Sequence, residues 1–223
     1  MSTLDLSKVA IVLTAHPRQQ KWWGPVLQSL EGFPGPLVLA YDDVDLRQLP
    51  PADLLRFAET RCSGYVPGFL GHGRGELVGM KAGFEMARDI GAEYCLKLGF
   101  DEPVYRWRNI EKLWVMRDSI RSDIIDCDTR AVFGPTEILL RIMSHVDVIE
   151  RGPGSAESYW KRICFDLNVS RMTILDPAWW FDMLGLVHIP GECAANHGQP
   201  NKWAWSIGEL WPRPPEKRGD DGS

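Results

Sequence analysis

No apolar run in the 223 residues approaches the roughly 20 needed to cross a bilayer. Zinc spacing is missing too: five cysteines (Cys62, Cys95, Cys127, Cys164 and Cys193) stand far apart, and no CxxC or Cys/His pair has the spacing of a structural zinc site. Positive charge is in short supply. Lys and Arg total 25 against 30 Asp and Glu, a net charge of -5, so no basic surface advertises nucleic acid or an anionic membrane, although a local basic cleft is compatible with that balance. There is no internal repeat, no linker, no Gly-Lys-Ser/Thr of a Walker loop, and no G-x-G-x-x-G after the first apolar run. Met1–Lys8 is polar and leads straight into that run, so no secretory signal is expected. These absences together predict a reduced, cytoplasmic, soluble protein.

What is present is ordinary globular material, 44% hydrophobic and 25% charged, which excludes a mainly disordered chain. The length suits one large domain. With 21 Gly and 16 Pro the fold should be rich in loops. Ten Trp is high for this length, and tryptophan serves equally as core filler and as a flat surface for sugars or bases.

Val9 to Leu13 is continuously apolar, as expected of a strand buried on both faces of a parallel sheet. It ends in the polar Thr14-Ala15-His16-Pro17. Trp22, Trp23, Val26, Leu27 and Leu30 then recur at helical spacing up to Gly32, and Pro36 to Tyr41 reads as a second strand running into Asp42-Asp43. The first 43 residues therefore predict a βαβ unit. A short helix is expected near Asp53–Phe57 and a strand near Gly64–Val66. Gly71-His72-Gly73-Arg74-Gly75-Glu76 opens a helix with Leu77, Met80, Phe84 and Ala87 on one face and Gly91 as its stop. Tyr94 to Phe100 is a strand ending in Asp101-Glu102-Pro103. A helix with Ile110, Leu113 and Trp114 inward, strands near Ile124-Ile125 and Ala131–Phe133, and a helix from Pro135 follow, Pro taking the first helical position. The last third is less regular: a helix over Ala156–Leu167, the Trp179-Trp180-Phe181 cluster, and a strand over Leu186–Ile189. The pattern predicts a single α/β domain over 1–210, and a disordered Pro-rich, charged tail over 211–223.

Each candidate site has a plainer reading beside it. The Gly71-x-Gly73-x-Gly75 run offers free N–H groups at a helix start, which attract phosphate, with Arg74 adding charge; a flexible helix entry explains it equally. Asp101-Glu102 closes a buried strand, where open α/β sheets bind ligands and where Mg²⁺ or Mn²⁺ finds oxygen ligands beside phosphate; an Asp cap before Pro103 is the alternative. Lys97, mid-strand in an apolar run, needs either a partner or an edge strand with a solvated face. Asp42-Asp43 suits ribose hydroxyls or a base N–H, and suits turn chemistry as well. His188 and His197 are either metal ligands or satisfied structural histidines. Glu157, in the first turn of its helix, is favoured there by the helix dipole alone.

Taken in order, these pieces resemble the nucleotide-sugar glycosyltransferases of the GT-A fold, a Rossmann-like, mostly parallel sheet flanked by helices. The resemblance spans about residues 8 to 190. It implies that Thr14-Ala15-His16 opens a loop at the nucleotide, that Asp42 and Asp43 meet base or ribose, and that the segment from Gly71 to Lys81, with Arg74, approaches the diphosphate. Gly99-Phe100-Asp101-Glu102 stands where the family carries Asp-x-Asp, so Asp101 and Glu102 become metal ligands, completed by His188 or His197. Gly99 replaces the family's first aspartate. The metal, Mn²⁺ or Mg²⁺, would then be held by Asp101 with a histidine; alternatively Lys97 and Arg74 neutralise the diphosphate without it. The reaction implied moves a sugar from a nucleoside diphosphate sugar, UDP by family base rates, to an acceptor hydroxyl of a glycan, lipid, small metabolite or modified base. Glu157 is the first candidate for the base of an inverting enzyme and Asp128 the second; a retaining enzyme needs neither. The Trp-rich last third would shape the acceptor pocket. The other readings are a sugar nucleotidyltransferase, which lacks support because no Gly run follows the first strand, and a non-catalytic nucleotide-sugar-binding protein.

Overall fold

The computed structural model describes residues 3–15, 23–42, 46–48, 50–63, 72–99, 102–146 and 155–186. The expected strand over 64–66 and the tail over 211–223 lie outside them.

The first strand, β1 (Val9–Ala15), is an interior strand, third in order, of a seven-stranded sheet. Its side chains alternate between two separate cores. Val9, Ile11, Leu13 and Ala15 enter one and Ala10 and Val12 the other, so every position from Val9 to Leu13 must be apolar. Helix α1 (Trp23–Ser29) covers the first core with Trp23, Val26 and Leu27, and leads to β2 (Leu37–Tyr41), parallel to β1. The βαβ unit expected from the sequence is therefore present.

Past α2 (Pro51–Leu54), a little earlier than the sequence pattern placed it, comes β3 (Glu59–Cys62), which pairs with β2 at the sheet edge. Its pattern hides the strand from a hydrophobicity reading. Glu59 and Arg61 sit half-buried in an ion pair, and the intervening residues are exposed. Helix α3 (His72–Asp89) follows and buries Leu77, Met80, Phe84 and Ala87 on the second core. It lies hard against the sheet: a Cβ on Gly83 would stand 2.2 Å from a Val12 methyl. Only glycine permits that approach.

β4 (Tyr94–Gly99) pairs with β1 on the other side. Helix α4 (Ile110–Ser119) then covers the first core with Ile110 and Leu113. Next come β5 (Ile124–Asp126), β6 (Val132–Pro135), α5 (Thr136–Met143), α6 (Ala156–Asp166), β7 (Arg171–Thr173) and α7 (Pro177–Leu184). Pro135 sits at the N-cap of α5, one position before the first helical residue where the sequence pattern put it. The sheet order is β3-β2-β1-β4-β6-β5-β7. β6 runs antiparallel to β4 and to β5, while β5 and β7 are parallel. Two reversals restore direction, so β1, β2, β3, β4, β5 and β7 all end at the same edge, and β6 starts there.

Two features of the last third were not read from the sequence. β7 is three residues long and carries no buried position. The Trp179-Trp180-Phe181 cluster is a helix, announced by Asp176 accepting from Ala178 N, by Pro177 at its start, and by Gly185 in the left-handed region at its end. Of the strand expected over 186–189, only Leu186 is described, in an isolated bridge to Val104.

Candidate functional site at the carboxyl edge of the sheet

The common strand edge is where an open α/β sheet offers a crevice to a ligand, because strand order reverses around β1 and the connections diverge. Ala15 ends β1 with Thr14 half-buried beside it, and Asp42 follows β2, its N–H donating to Ala15 O at 3.1 Å. Ser63, just past β3, donates to Tyr41 O at 3.1 Å. Helix α3 starts at this edge: a Cβ on Gly79, two turns in, would lie 3.7 Å from the Thr14 methyl and 3.9 Å from Ser63 Oγ. Gly73 and Gly75 belong to the first turn of the helix. Its leading N–H groups, aimed along the axis toward the edge, have no intrahelical acceptors and suit an anion. Arg74 stands in that turn. Lys81 lies nine residues, about 13 Å, along the helix from its first residue, level with the middle of β1 rather than at the mouth.

At the end of β4 the chain turns back sharply. Glu102 N donates to Gly99 O at 3.1 Å, and Glu102 Oε2 accepts from Gly99 N at 2.6 Å, the side chain being only 2% exposed. One carboxylate oxygen of this expected metal ligand is thus committed to bracing the turn. Among the described residues no group of three or more His, Cys, Asp or Glu is arranged to hold a metal. Asp101, His188 and His197, together with His16 and Asp43, lie outside the described residues.

Lys97 has different partners from the expected diphosphate. β4 is a central strand, so the alternative of an edge lysine with a solvated face is corrected as well. The side chain is 1% exposed, on the α3 face between its register neighbours Val12 and Val132. Its ammonium donates to Glu76 Oε1 at 3.0 Å, to Thr129 O, and to Arg130 O at 3.3 Å. An ammonium has three N–H donors, and all are accounted for within the protein.

The β5–β6 turn that supplies those carbonyls is held equally firmly from its other side. Asp126, fully buried, accepts from Arg171 Nε at 2.8 Å and Nη2 at 2.9 Å, and from the Trp160 indole at 3.0 Å. A bidentate guanidinium with an added indole donor is the geometry that offsets the cost of burying a carboxylate. Asp128, two residues on, accepts from Arg171 Nη2 at 3.3 Å and pairs with Lys161 at 3.1 Å. Burial works against the Arg171 charge, but the hydrogen bonds and charge of Asp126, helped by Asp128, outweigh it and hold the guanidinium above its usual range. Asp128 itself has φ of 53°, in the left-handed region, a conformation that persists in a non-glycine residue only where its surroundings enforce it.

Glu157 opens α6, whose Ser155 cap accepts from Ser158 N. Lys161, in the middle of the same helix, reaches Asp128, and Glu157 lies one turn earlier on the same helix face. The two expected bases are thus brought to the same side as Asp42 and the start of α3. The buried tryptophans are not part of that surface. Trp160 and Trp180 are fully enclosed in the cores and Trp179 is partly buried against the first core, while Trp203, Trp205 and Trp211 lie outside the described residues. Cys95 and Cys164 are buried as expected, and burial pushes both thiols up to about 12. Sequence reasoning missed the Asp126–Arg171 pair. Its signal was an acid at the end of the apolar Ile124-Ile125, the same cue that had singled out Asp101.

No family model matches the chain, and no curated protein does. Among solved structures it is similar to a protein of Desulfovibrio desulfuricans G20 whose crystal structure is provisionally assigned as a nucleotide-diphospho-sugar transferase. The two share 14% identity over 75% of this chain and 80% of the other, with a TM-score of 0.51. At that identity the likeness is one of fold, and it matches the expected GT-A-like α/β architecture. No helix among the described residues is long and apolar enough to cross a membrane.

Proposed function

We propose that the chain is a glycosyltransferase that moves a sugar from a nucleoside diphosphate sugar, UDP being favoured, to an acceptor hydroxyl. The observation that carries this reading is the convergence at one sheet edge of Asp42, the start of α3, the Gly99–Glu102 turn, and the Asp128–Glu157 side. Asp42 is positioned for ribose hydroxyls or a base N–H. The first turn of α3, with Arg74, takes the diphosphate, whose departure is the hard step and is eased by any positive end that receives its charge. The bond from the anomeric carbon to the diphosphate oxygen breaks as the acceptor oxygen attacks. In an inverting reaction the acceptor proton passes to a carboxylate at that moment. Glu157 is the better placed of the two candidates, because Asp128 is already engaged by Arg171 and Lys161.

Mn²⁺ or Mg²⁺, if required, would be held by Asp101 with His188 or His197 and would help neutralise the departing diphosphate, and its requirement is a separate arm of the test. Titration calorimetry with UDP, GDP, ADP and CDP, with and without Mn²⁺, should give binding to at least one. Absence of binding to all four at millimolar concentration overturns the reading. Donor binding without slow donor hydrolysis would point instead to a non-catalytic binding protein.

A further inference from the structure

Packing does not explain Lys97. Its neighbours across the strands are Val12 and Val132, and an apolar side chain would fill the position without taking a charge out of water. What the lysine does is join two elements. Through Glu76 it reaches the second turn of α3, and through the carbonyls of Thr129 and Arg130 it holds the turn between β5 and β6. Arg171 grips the same turn from the opposite side at Asp126 and Asp128. The turn is closed on itself by Cys127 N donating to Ala131 O at 2.8 Å, and it carries Asp128 in the left-handed region. So short a piece of chain, fixed from two sides in a conformation that non-glycine residues avoid, is over-determined.

We propose that Lys97 is a positioning residue: it sets the turn carrying Asp128 against the start of α3, and so fixes the spacing between the two sides of the strand edge. What those two sides hold, donor and acceptor, rests on the glycosyltransferase reading; the clamp itself does not. A buried ammonium suits this task because its short, charge-assisted bonds to three acceptors resist a shift that an apolar contact would tolerate. Reaction between two held groups is sensitive to such shifts, whereas binding of one of them is not.

The test uses the full chain as wild type, Lys97→Met, and the double variant Glu76→Gln/Lys97→Met. In the double variant no unpaired carboxylate is left behind, and the melting temperature recovers most of what the single variant loses. With UDP-glucose and UDP-galactose as probes, kcat for donor hydrolysis falls by about a hundredfold in both variants, while KM and the Kd for UDP move by no more than about twofold. If kcat recovers along with the melting temperature, Lys97 is merely structural. If the Kd for UDP rises as much as kcat falls, Lys97 touches the diphosphate. Either result overturns the proposal. Should wild type neither bind UDP nor hydrolyse the donors, the glycosyltransferase reading loses its UDP form, and hydrogen exchange decides the clamp alone. Amides of Cys127–Ala131 exchanging at least about tenfold faster in the double variant, with β1 unchanged, sustain it. Unaltered exchange in that turn overturns it.

Discussion

The two halves of the sheet are held together by different physics. From β1 to β4 the strands are five to seven residues long, except for the edge strand β3, and apart from Lys97 and Gly99 of β4 their buried positions are Val, Ile, Leu, Ala and Cys on both faces. Past β4 the strands shrink to three or four residues, and β5 and β7 are tied across their ends by Asp126 and Arg171. A hydrophobic half tolerates change in proportion to volume, whereas an ionic half depends on completeness, since one missing partner strands a buried charge. The residues proposed for chemistry sit where the two meet.

The sharpest way to break this contrast is Asp126→Ala. It leaves the Trp160 indole without its acceptor and the Arg171 guanidinium with only the longer bond to Asp128, and should cost about 3–5 kcal/mol. In denaturant unfolding, Asp126→Leu combined with Arg171→Met should recover much of that loss, because a matched apolar pair removes both charges. A double variant no better than the single would show that the second half does not depend on paired charge.

Glu157→Gln separates the halves functionally. The amide keeps the shape but cannot accept a proton, so transfer should slow by about a hundredfold while donor affinity holds. Transfer kinetics beside calorimetry check this. An unchanged turnover number with a slightly lower melting point would assign Glu157 to the helix dipole, worth about 0.3–1 kcal/mol.

Within the hydrophobic half the effects should follow space. Gly83→Ala drives a methyl into Val12, and overpacking of that kind costs about 1–3 kcal/mol. Gly75→Ala, in the same helix but with nothing within 4 Å, should instead gain about 0.5–1 kcal/mol. Thermal melts of the pair would show opposite signs.

The buried thiols supply the smallest effect and a pH signature. Burial raises Cys95 and Cys164 to about 12 and, with the Glu102 charge contributing, Cys127 to about 11. Their folded values lie above an unfolded thiol's, near 8.5. The stability they contribute is therefore complete below that pH, and is lost as pH rises through the folded values. Melting temperature should decline steadily from about pH 9 upward. A thiol-specific reagent at pH 8 should label the exposed Cys62 well before the other three described cysteines. Equal labelling would mean that the cores open readily.

How much of this could be read in advance follows the same division. Val9–Leu13 and Pro36–Tyr41 announced buried strands because both faces of each are covered, and Gly71–Gly91 announced α3 by its spacing. β3 and β7 did not, since an edge strand with half-buried charges has no hydrophobic period to detect. The Trp179-Trp180-Phe181 cluster concealed α7 because aromatic residues crowd a helix and a strand alike, although Asp176-Pro177 and Gly185 bracketed it. At the site, acids at strand ends were visible as acids. That Glu102 folds back on Gly99, that Lys97 spends its charge on Glu76 and two carbonyls, and that Asp126 meets Arg171 were not.

By itself, then, the order of apolar runs, helical periods and Gly or Pro punctuation determined an α/β chain with β1 buried on both faces and polar residues at the strand ends. Those signals are local, since burial on two faces or one is written into the period of a few neighbouring residues. Only the tertiary structure decided the antiparallel β6, which sets β5 beside it and returns the Asp128 side to the edge where Asp42 and α3 already stand. Partner choice among charges 45 residues apart, as between Asp126 and Arg171, is a matter of distance in space, which no pattern along the chain encodes.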